Sequence, residues 1–215
     1  MDHRAVRPKM RGWLHLGALP VVVIAGFVLV ALGPTPQARL AAAVYAMASG
    51  LLFGVSGAYH RGQASGLMIE VLRRVDHANI YLIIAGTYTP FAVLALDGAE
   101  RIAVLSVIWV GAVAGVIFRA VWIGAPRWLY TSLYIALGWV AVVVMPQFID
   151  GAGVAATVLV IVGGALYSLG GVVYGLRRPD PSPRWFGFHE VFHACTLAAY
   201  VVQYIAVSLV VYRAG

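Results

Sequence analysis

The stretch from residue 186 to residue 200 carries two histidines that a helix would place side by side. In His189-Glu190-Val191-Phe192-His193 the two imidazoles are four positions apart, so they share one helix face, and this spacing suits two histidines that bind one zinc ion. In zinc proteases the glutamate of such a helix acts as the general base. Two histidines do not complete a zinc site. The rest of the sequence must therefore supply a third ligand and define the solvent around this helix.

The composition places this helix in a membrane. Of the 215 residues, 62% are apolar and 11% are charged, and the mean hydropathy is +0.89, values outside the range of a soluble domain. A bilayer core requires about 20 apolar residues per helix. Seven such stretches occur, at roughly 13–33, 38–60, 77–96, 101–122, 128–147, 153–175 and 186–212. We therefore predict a single domain over residues 1–215, an all-α bundle of seven transmembrane helices.

The basic residues predict the orientation of this bundle. The loops and helix ends on the side of the N-terminus hold Arg4, Arg7, Lys9, Arg11, Arg61, Arg73, Arg74, Arg119, Arg127, Arg177, Arg178 and Arg184, whereas the other side holds Arg39, Arg101 and Arg213. Because cytoplasmic loops are enriched in Lys and Arg, we predict a cytoplasmic N-terminus and a C-terminus outside. The net charge of +7 does not indicate nucleic acid as a partner, because the arginines lie on separate short loops beside lipid headgroups.

Polar side chains that are costly in lipid cluster on the predicted cytoplasmic side. His60 ends the second predicted helix, and Asp76 and His77 begin the third. His189 and His193 lie in the first turns of the seventh. We therefore predict His60 as the third zinc ligand. Three histidines would leave the fourth position of the ion open to water, whose pKa zinc lowers toward ~7, so such a site is suited to catalysis.

Two further side chains at this depth have both a functional and a structural interpretation. Ser56 lies one helical turn before the third candidate histidine, but a membrane serine commonly bonds to carbonyl groups of its own helix. Asp76 could approach the metal, or it could cap the N-terminus of the third helix. His15 and His77 are assigned to the membrane interface. Cys195 is the only cysteine, which excludes an intramolecular disulfide and a cysteine-based zinc cage.

These residues belong to three ordered motifs that resemble those of the adiponectin and progestin receptor family. The motifs are Ser56-Gly57-Ala58-Tyr59-His60, then Asp76-His77-Ala78-Asn79-Ile80 running into Ala85-Gly86-Thr87-Tyr88-Thr89-Pro90-Phe91, then His189-Glu190-Val191-Phe192-His193. Three motifs in order are far more specific than the last alone. The short N-terminal tail is similar to that of the bacterial branch, the hemolysin III proteins. Family members carry another histidine late in the seventh helix, where this chain has Gln203-Tyr204, so no fourth histidine ligand is expected there.

The resemblance has implications for fold, location, cofactor and activity. It implies seven helices with a cytoplasmic N-terminus, in a bacterial inner membrane, and a zinc ion held by His60, His189 and His193. It also implies that Asp76 approaches the water on the zinc and that Ser56 lies beside it. Together with a similarity to the alkaline ceramidases, it implies hydrolysis of an amide or ester bond in a membrane lipid.

Other functions remain open at this stage. A receptor or structural protein would use zinc to join the second and seventh helices without catalysis. A transporter is less favoured because the polar residues collect at one face of the membrane. A protease would need Glu190 as the base and a ligand from Asp150-Gly151, which the predicted topology places in an outer loop about 30 Å away. Glu190 follows His189 by about 100° around the helix, so we expect it off the metal face. It would then face the headgroup region at the surface, a neighbouring helix or Arg184.

Overall fold

The chain folds into a bundle of α-helices. The computed structural model describes residues 8–215, so Arg4 and Arg7, whose charges enter the predicted orientation, lie outside the described residues. In chain order the helices are α1 Trp13–Ala31, α2 Pro36–Arg61, α3 Gly66–Ala95, α4 Gly98–Val121, α5 Arg127–Gly138, α6 Met145–Ala152, α7 Val154–Leu176 and α8 Phe188–Arg213, and a 3-10 helix, Val140–Val144, joins α5 to α6. With α5 to α6 taken as one span, seven spans in residues 8–215 are long and apolar enough to cross a membrane, which confirms the predicted fold class.

Apolar side chains cover the outside of the bundle as well as its interior. Val21, Phe27 and Val110 are 67%, 73% and 69% exposed, whereas Phe53 and Ile108 are fully buried. Contact of such an apolar outer face with water is unfavourable, because exposed apolar surface raises the free energy of the protein. The medium that suits this surface is therefore lipid.

The order of packing brings distant motifs to one end of the bundle. Helices that follow one another pack together, α1 on α2, α2 on α3 and α3 on α4, and α7 packs on α8. The last helix, α8, also contacts α1, α2 and α3. Because short connections make successive spans antiparallel, the end of α2, the first half of α3 and the start of α8 meet at the same end. We call this the histidine end.

The third helix begins earlier than its apolar stretch predicts. It starts at Gly66 instead of 77, and its first turns carry exposed side chains such as Leu67 and Glu70. A run of about 20 apolar residues marks only the part of a helix that crosses the hydrocarbon. Residues with high helix propensity can extend the helix beyond the hydrocarbon. Asp76 therefore lies inside α3, and the interpretation of Asp76 as an N-cap is wrong.

The fifth span is interrupted in its middle. The prediction of a continuous helix over 128–147 is wrong, because α5 ends at Gly138 and Pro146, in the first turn of α6, cannot continue a preceding helix. The hydroxyl of Tyr88 on α3 donates to Gly138 O (2.6 Å) and accepts from Ala141 N (2.7 Å). This side chain replaces backbone partners that the break removes, as an interruption at membrane depth requires.

Candidate metal centre

Three histidines from two helices meet at the histidine end. His60 lies in the last turn of α2, and His189 and His193 lie in the first two turns of α8. One ring nitrogen of each lies within 4.8 Å of those of the other two, and the Nε2 atoms of His60 and His189 are 3.1 Å apart. His60 and His193 are buried and His189 is half-buried. The three residues predicted as ligands are thus close together, although α2 and α8 are far apart in the sequence.

The spacing of the three rings fits a zinc ion. With Zn–N bonds of about 2.0–2.1 Å, a tetrahedral ion separates two ligand nitrogens by about 3.3 Å, close to the 3.1 Å between His60 and His189. The ring centroid of His193 lies 4.5 Å from that of His189 and 5.1 Å from that of His60. Within residues 8–215, the group of side chains able to share this ion contains these three histidines alone. Such a ligand set leaves one position for water or substrate.

Asp76 and Ser56 lie beside this group. Asp76 Oδ2 is 3.9 Å from His60 Nε2, too far for a direct hydrogen bond but close enough for a water between them. The side chain of Ser56 contacts the Asp76 carboxyl group and is itself 2% exposed. Ser56 and His60 are one turn apart on α2, and Asp76 reaches them from the neighbouring α3. Asp76 and Ser56 therefore lie close enough to the three histidines for the predicted roles. The chemical roles of these two residues stay predictions.

His15 belongs to the same site, which the sequence interpretation missed. It is 2% exposed, and its Nδ1 lies 2.9 Å from Ser56 Oγ. Its ring stacks on that of His193, with centroids 3.8 Å apart and an interplanar angle of 6°. The assignment of His15 to the membrane interface is therefore wrong, because α1 turns this face toward α2 and α8. The available signal was a histidine within an apolar run, which is costly in lipid unless it has a partner.

His77 also faces the interior. Its Nδ1 lies 2.7 Å from Arg73 O and 3.9 Å from Asp76 Oδ2, and its Nε2 lies 3.5 Å from the hydroxyl of Tyr174 on α7. The side chain is 18% exposed. His77 is thus half-buried between α3 and α7, and its assignment to the membrane interface stays a prediction. His77 links the neighbourhood of Asp76 to α7.

Glu190 holds the start of α8 instead of facing the surface. It is 1% exposed, its Oε2 accepts a hydrogen bond from Gly187 N (2.8 Å), and its Oε1 accepts one from Arg11 Nε (2.5 Å). A carboxylate at this position satisfies a free N–H group and favours the positive end of the helix dipole. The expected location at the surface is therefore wrong. Both oxygens are engaged by the cap and the ion pair.

The second element of a protease site lies at the opposite end of the bundle. Asp150 is in the last turn of α6, not in a loop as predicted. Ala152, two residues later, accepts a hydrogen bond from Arg213 in the last turn of α8 (3.0 Å). Along α8, Arg213 is about 30 Å from His193 at 1.5 Å per residue. Asp150 therefore does not reach the three histidines.

An apolar cavity adjoins two of the three histidines, His189 and His193. Its volume is about 140 Å³, and His15, Ser56, Asp76, His189 and His193 line one end of it. The walls are formed by apolar and aromatic side chains of α3, α5, α7 and α8, including Ile84, Phe91, Tyr134, Trp139 and Val160, and Gln203 lines it far along α8. From His189 to Gln203 the distance along α8 is about 21 Å. The residues that line the cavity therefore extend from the histidines into the apolar interior of the bundle.

Comparison with known proteins agrees with the motifs. The chain is 33% identical over 123 residues to the Hemolysin-3 homolog of Bacillus subtilis (strain 168), an alignment that covers 55% of this chain and 56% of that protein. It is 33% identical over 141 residues to Hemolysin-3 of Bacillus cereus, with 65% and 64% covered. It thus spans less than two thirds of these relatives. It is also 23% identical over 175 residues to Progestin and adipoQ receptor-like protein 1 of Caenorhabditis elegans, with 74% and 40% covered.

A family model covers nearly the whole chain, including every residue of the candidate metal centre. The model described as Haemolysin-III related matches residues 3–204. The chain belongs to the haemolysin-III-related family.

Proposed function

We propose that this chain is a zinc-dependent membrane hydrolase that cleaves an amide or ester bond of a lipid at the histidine end. The observation that carries the proposal is the cavity. Asp76, Ser56, His189 and His193 line an apolar space whose lining residues extend to Gln203, about 21 Å further along α8. A three-histidine group suits zinc, and two of its histidines, His189 and His193, line a cavity that would hold lipid. The positive-inside bias supports a location in the bacterial inner membrane, with this end at the cytoplasmic face.

The roles of the side chains follow from their chemistry. Zinc, when bound to His60, His189 and His193, supplies a Lewis acid and makes a water acidic enough to act as a nucleophile near neutral pH. Asp76, 3.9 Å from His60 Nε2, is placed to orient that water and to accept its proton. The Ser56 hydroxyl is placed to donate a hydrogen bond to the oxyanion that develops on the scissile carbonyl.

The surrounding side chains prepare these two groups. His15, bonded to Ser56 at 2.9 Å, fixes the direction of the hydroxyl. The apolar walls exclude water from the acyl chain and from the reacting bond, which strengthens electrostatic interactions in the site. After cleavage, the proton on Asp76 is available for the leaving amine or alcohol.

A second candidate function has one specific observation in its favour. His60 is on α2, whereas His189 and His193 are on α8, so an ion would join two helices that are far apart in the chain. A receptor or structural protein could use zinc as such a clamp. Structural zinc sites contribute directly to folding energy. In that case Asp76 and Ser56 would have no chemical role.

Turnover of a defined lipid panel separates the two candidates. The purified, zinc-loaded protein is incubated with ceramides, N-acyl amino lipids, phospholipids and lysolipids, with and without a chelator, and the products are measured by mass spectrometry. We expect release of a fatty acid from one class, which the chelator abolishes. If folded, zinc-loaded protein cleaves none of them while the chelator lowers its thermal stability, the clamp is favoured instead.

The physiological lipid is accessible from cells. Lipid extracts of cells that express the wild type or Asp76→Asn are compared, with His60→Ala as the variant that loses metal. We expect one lipid class to accumulate in both variants and its deacylated product to decrease. Accumulation in His60→Ala alone would contradict the role of Asp76 and support a clamp.

A further inference from the structure

A second cavity, wide and polar, adjoins the histidine site. Its volume is about 530 Å³. It shares His77, Tyr130, Tyr174 and His189 with the apolar cavity, so the two spaces meet at a candidate zinc ligand. Four arginines line it, Arg11, Arg73, Arg119 and Arg127, and none of the described residues that line it is an Asp or a Glu. We call this space the arginine cavity.

Arg119 is a buried cation without a carboxylate partner. The residue is 2% exposed, and within residues 8–215 its guanidinium forms no ion pair. Its two terminal nitrogens donate to Trp122 O and Ile123 O at 3.3 and 3.4 Å, near the limit for hydrogen bonds, and its Nε is buried without a partner. The group lies over the ring of Tyr130, with Cζ 4.4 Å from the centroid. Burial of such a charge is costly unless an anion compensates it.

Arg127 repeats this arrangement next to it. One of its terminal nitrogens is buried without a hydrogen-bond partner among the described residues, and Cζ lies 5.0 Å from the ring centroid of Tyr174. The Tyr130 and Tyr174 rings are 6.3 Å apart, and both guanidinium groups line the same cavity as these rings. Both act electrostatically on His77, which lies between them and Asp76.

The charges of the other two arginines of the cavity are compensated by an ion pair or by solvent. Arg11 is neutralised by Glu190 at 2.5 Å, and Arg73 is exposed to solvent. A bias of arginines toward the cytoplasmic side explains their number at this end, but it does not explain why two of them keep unpartnered N–H groups inside a cavity. These unpartnered N–H groups of Arg119 and Arg127 fit an anion inside the cavity.

We propose that the arginine cavity binds the phosphate of an anionic amphiphile whose acyl chain occupies the apolar cavity. Planar guanidinium groups donate paired hydrogen bonds to phosphate oxygens, and phosphates are the anions found at headgroup depth. The inference deepens the proposed function, on which it rests for the position of the scissile bond. Since the two cavities meet at His189, a single-chain phospholipid would place its ester or amide at the three histidines. A free phosphate ion offers the same chemistry without a chain.

A binding measurement in the presence of a chelator tests this proposal without turnover. The purified full chain in detergent is titrated with a lysophosphatidic acid, with the monoacylglycerol of the same acyl chain, and with inorganic phosphate. The variant is Arg127→Gln, and the matched control is Arg178→Gln, which removes one exposed charge at the same end of the bundle. Arg119→Lys is a second variant that keeps the charge but loses the Nε–H donor.

We expect the wild type to bind the lysophosphatidic acid about tenfold or more tightly than the monoacylglycerol, the effect of one or two charge-assisted hydrogen bonds. Arg127→Gln and Arg119→Lys should each remove most of this preference, and Arg178→Gln should keep it. Competition by inorganic phosphate only at far higher concentration identifies a lipid as the source of the phosphate. Competition at similar concentration identifies the free ion.

Equal binding of the charged and neutral lipids by the wild type would overturn the proposal. So would an equal loss of binding in Arg127→Gln and Arg178→Gln. Because zinc chemistry is absent from this measurement, its failure is separate from that of the proposed hydrolase. A chain that binds the phosphate lipid through Arg127 but never cleaves a lipid with zinc restored would support the binding site and contradict the hydrolase.

Discussion

The two ends of the bundle use arginine in different ways. At the end opposite the histidines, three arginines each donate to a backbone carbonyl at a helix end: Arg39 Nε to Gly33 O at 2.7 Å, Arg101 Nε to Leu96 O at 2.8 Å and a terminal nitrogen of Arg213 to Ala152 O at 3.0 Å. These bonds satisfy carbonyl groups that a helix leaves free at its C-terminus, and the positive charge suits that end of the dipole.

At the histidine end, several polar groups remain available. Arg119 and Arg127 keep N–H groups without partners, and His15 keeps a buried Nε2 without a hydrogen bond. Unsatisfied buried groups lower stability, so a fold retains them where a ligand or a reaction uses them. Arg119 also donates to carbonyl groups at the end of α4, so the contrast lies in the N–H groups that the histidine end leaves without partners and that a ligand would use.

Loss of a histidine ligand should have the largest effect. We expect His193→Ala, or the same change at His60 or His189, to lower the zinc content of the purified protein from about one per chain to less than about a tenth, because two imidazoles do not hold the ion. Metal analysis by mass spectrometry measures this. Arg101→Gln, at the opposite end, is the control and should keep the full zinc content. Equal zinc loss in the control would mean that the two ends are not distinct.

Asp76→Asn should have the next largest effect. The substitution keeps the shape of the side chain but removes the anionic acceptor, so we expect turnover to fall by about 10² or more while the zinc content is kept. Lipid hydrolysis by the zinc-loaded variant gives the rate, and metal analysis confirms that the site is filled. Near-normal turnover would show that Asp76 is not the general base.

His15→Phe tests whether His15 positions Ser56. Phenylalanine keeps the ring that packs on His193 and Phe53 but loses the bond to the hydroxyl. We expect a fall of about tenfold in turnover, the effect of one hydrogen bond of ~1.4 kcal/mol, with unchanged zinc content. His15→Asn, which offers a side-chain nitrogen and oxygen near the same place, should restore part of the rate. A purely structural role would instead appear as a lower melting temperature in both variants, with no difference in rate between them.

Glu190→Gln should affect turnover least. The amide keeps an oxygen for the Gly187 N–H but loses the charge that pairs with Arg11, so we expect a loss of about 1–3 kcal/mol in stability and retention of zinc and most activity. Thermal unfolding and lipid turnover are measured on the same preparation. An inactive Glu190→Gln together with a near-normal Asp76→Asn would restore the protease interpretation of the HExxH motif.

The transmembrane spans could be predicted from the sequence, because a lipid bilayer requires a continuous apolar segment for each span. A run of about 20 apolar residues has few alternatives to a membrane helix, and all seven spans were located. The errors lie where that rule does not apply. The first turns of α3, from Gly66, lie beyond the apolar stretch, and the break after Gly138 is stabilised by Tyr88 from another helix.

The candidate site was accessible only in part. The motif spacing identified His60, His189 and His193, and the structure places their ring nitrogens within 4.8 Å of one another. His15 was missed because its role depends on which face α1 turns toward Ser56, and a histidine near a helix end is equally compatible with the interface. Glu190 was assigned to the surface because the helical periodicity gives its angle from His189 around α8. That angle does not show which residues of other segments, such as Arg11, lie in that direction.

The sequence by itself determined the solvent, the spans, the predicted orientation and the three candidate ligands, because hydropathy, charge bias and the spacing within one helix are local properties of the chain. Only the tertiary structure decided which helix faces meet. Three contacts join residues from separate segments of the chain: the stacking of His15 on His193, the ion pair of Arg11 with Glu190, and the placement of Arg119 and Arg127 over the rings of Tyr130 and Tyr174. The rotation of each helix about its axis is set by packing of the whole bundle, so these contacts have no signal in any single segment.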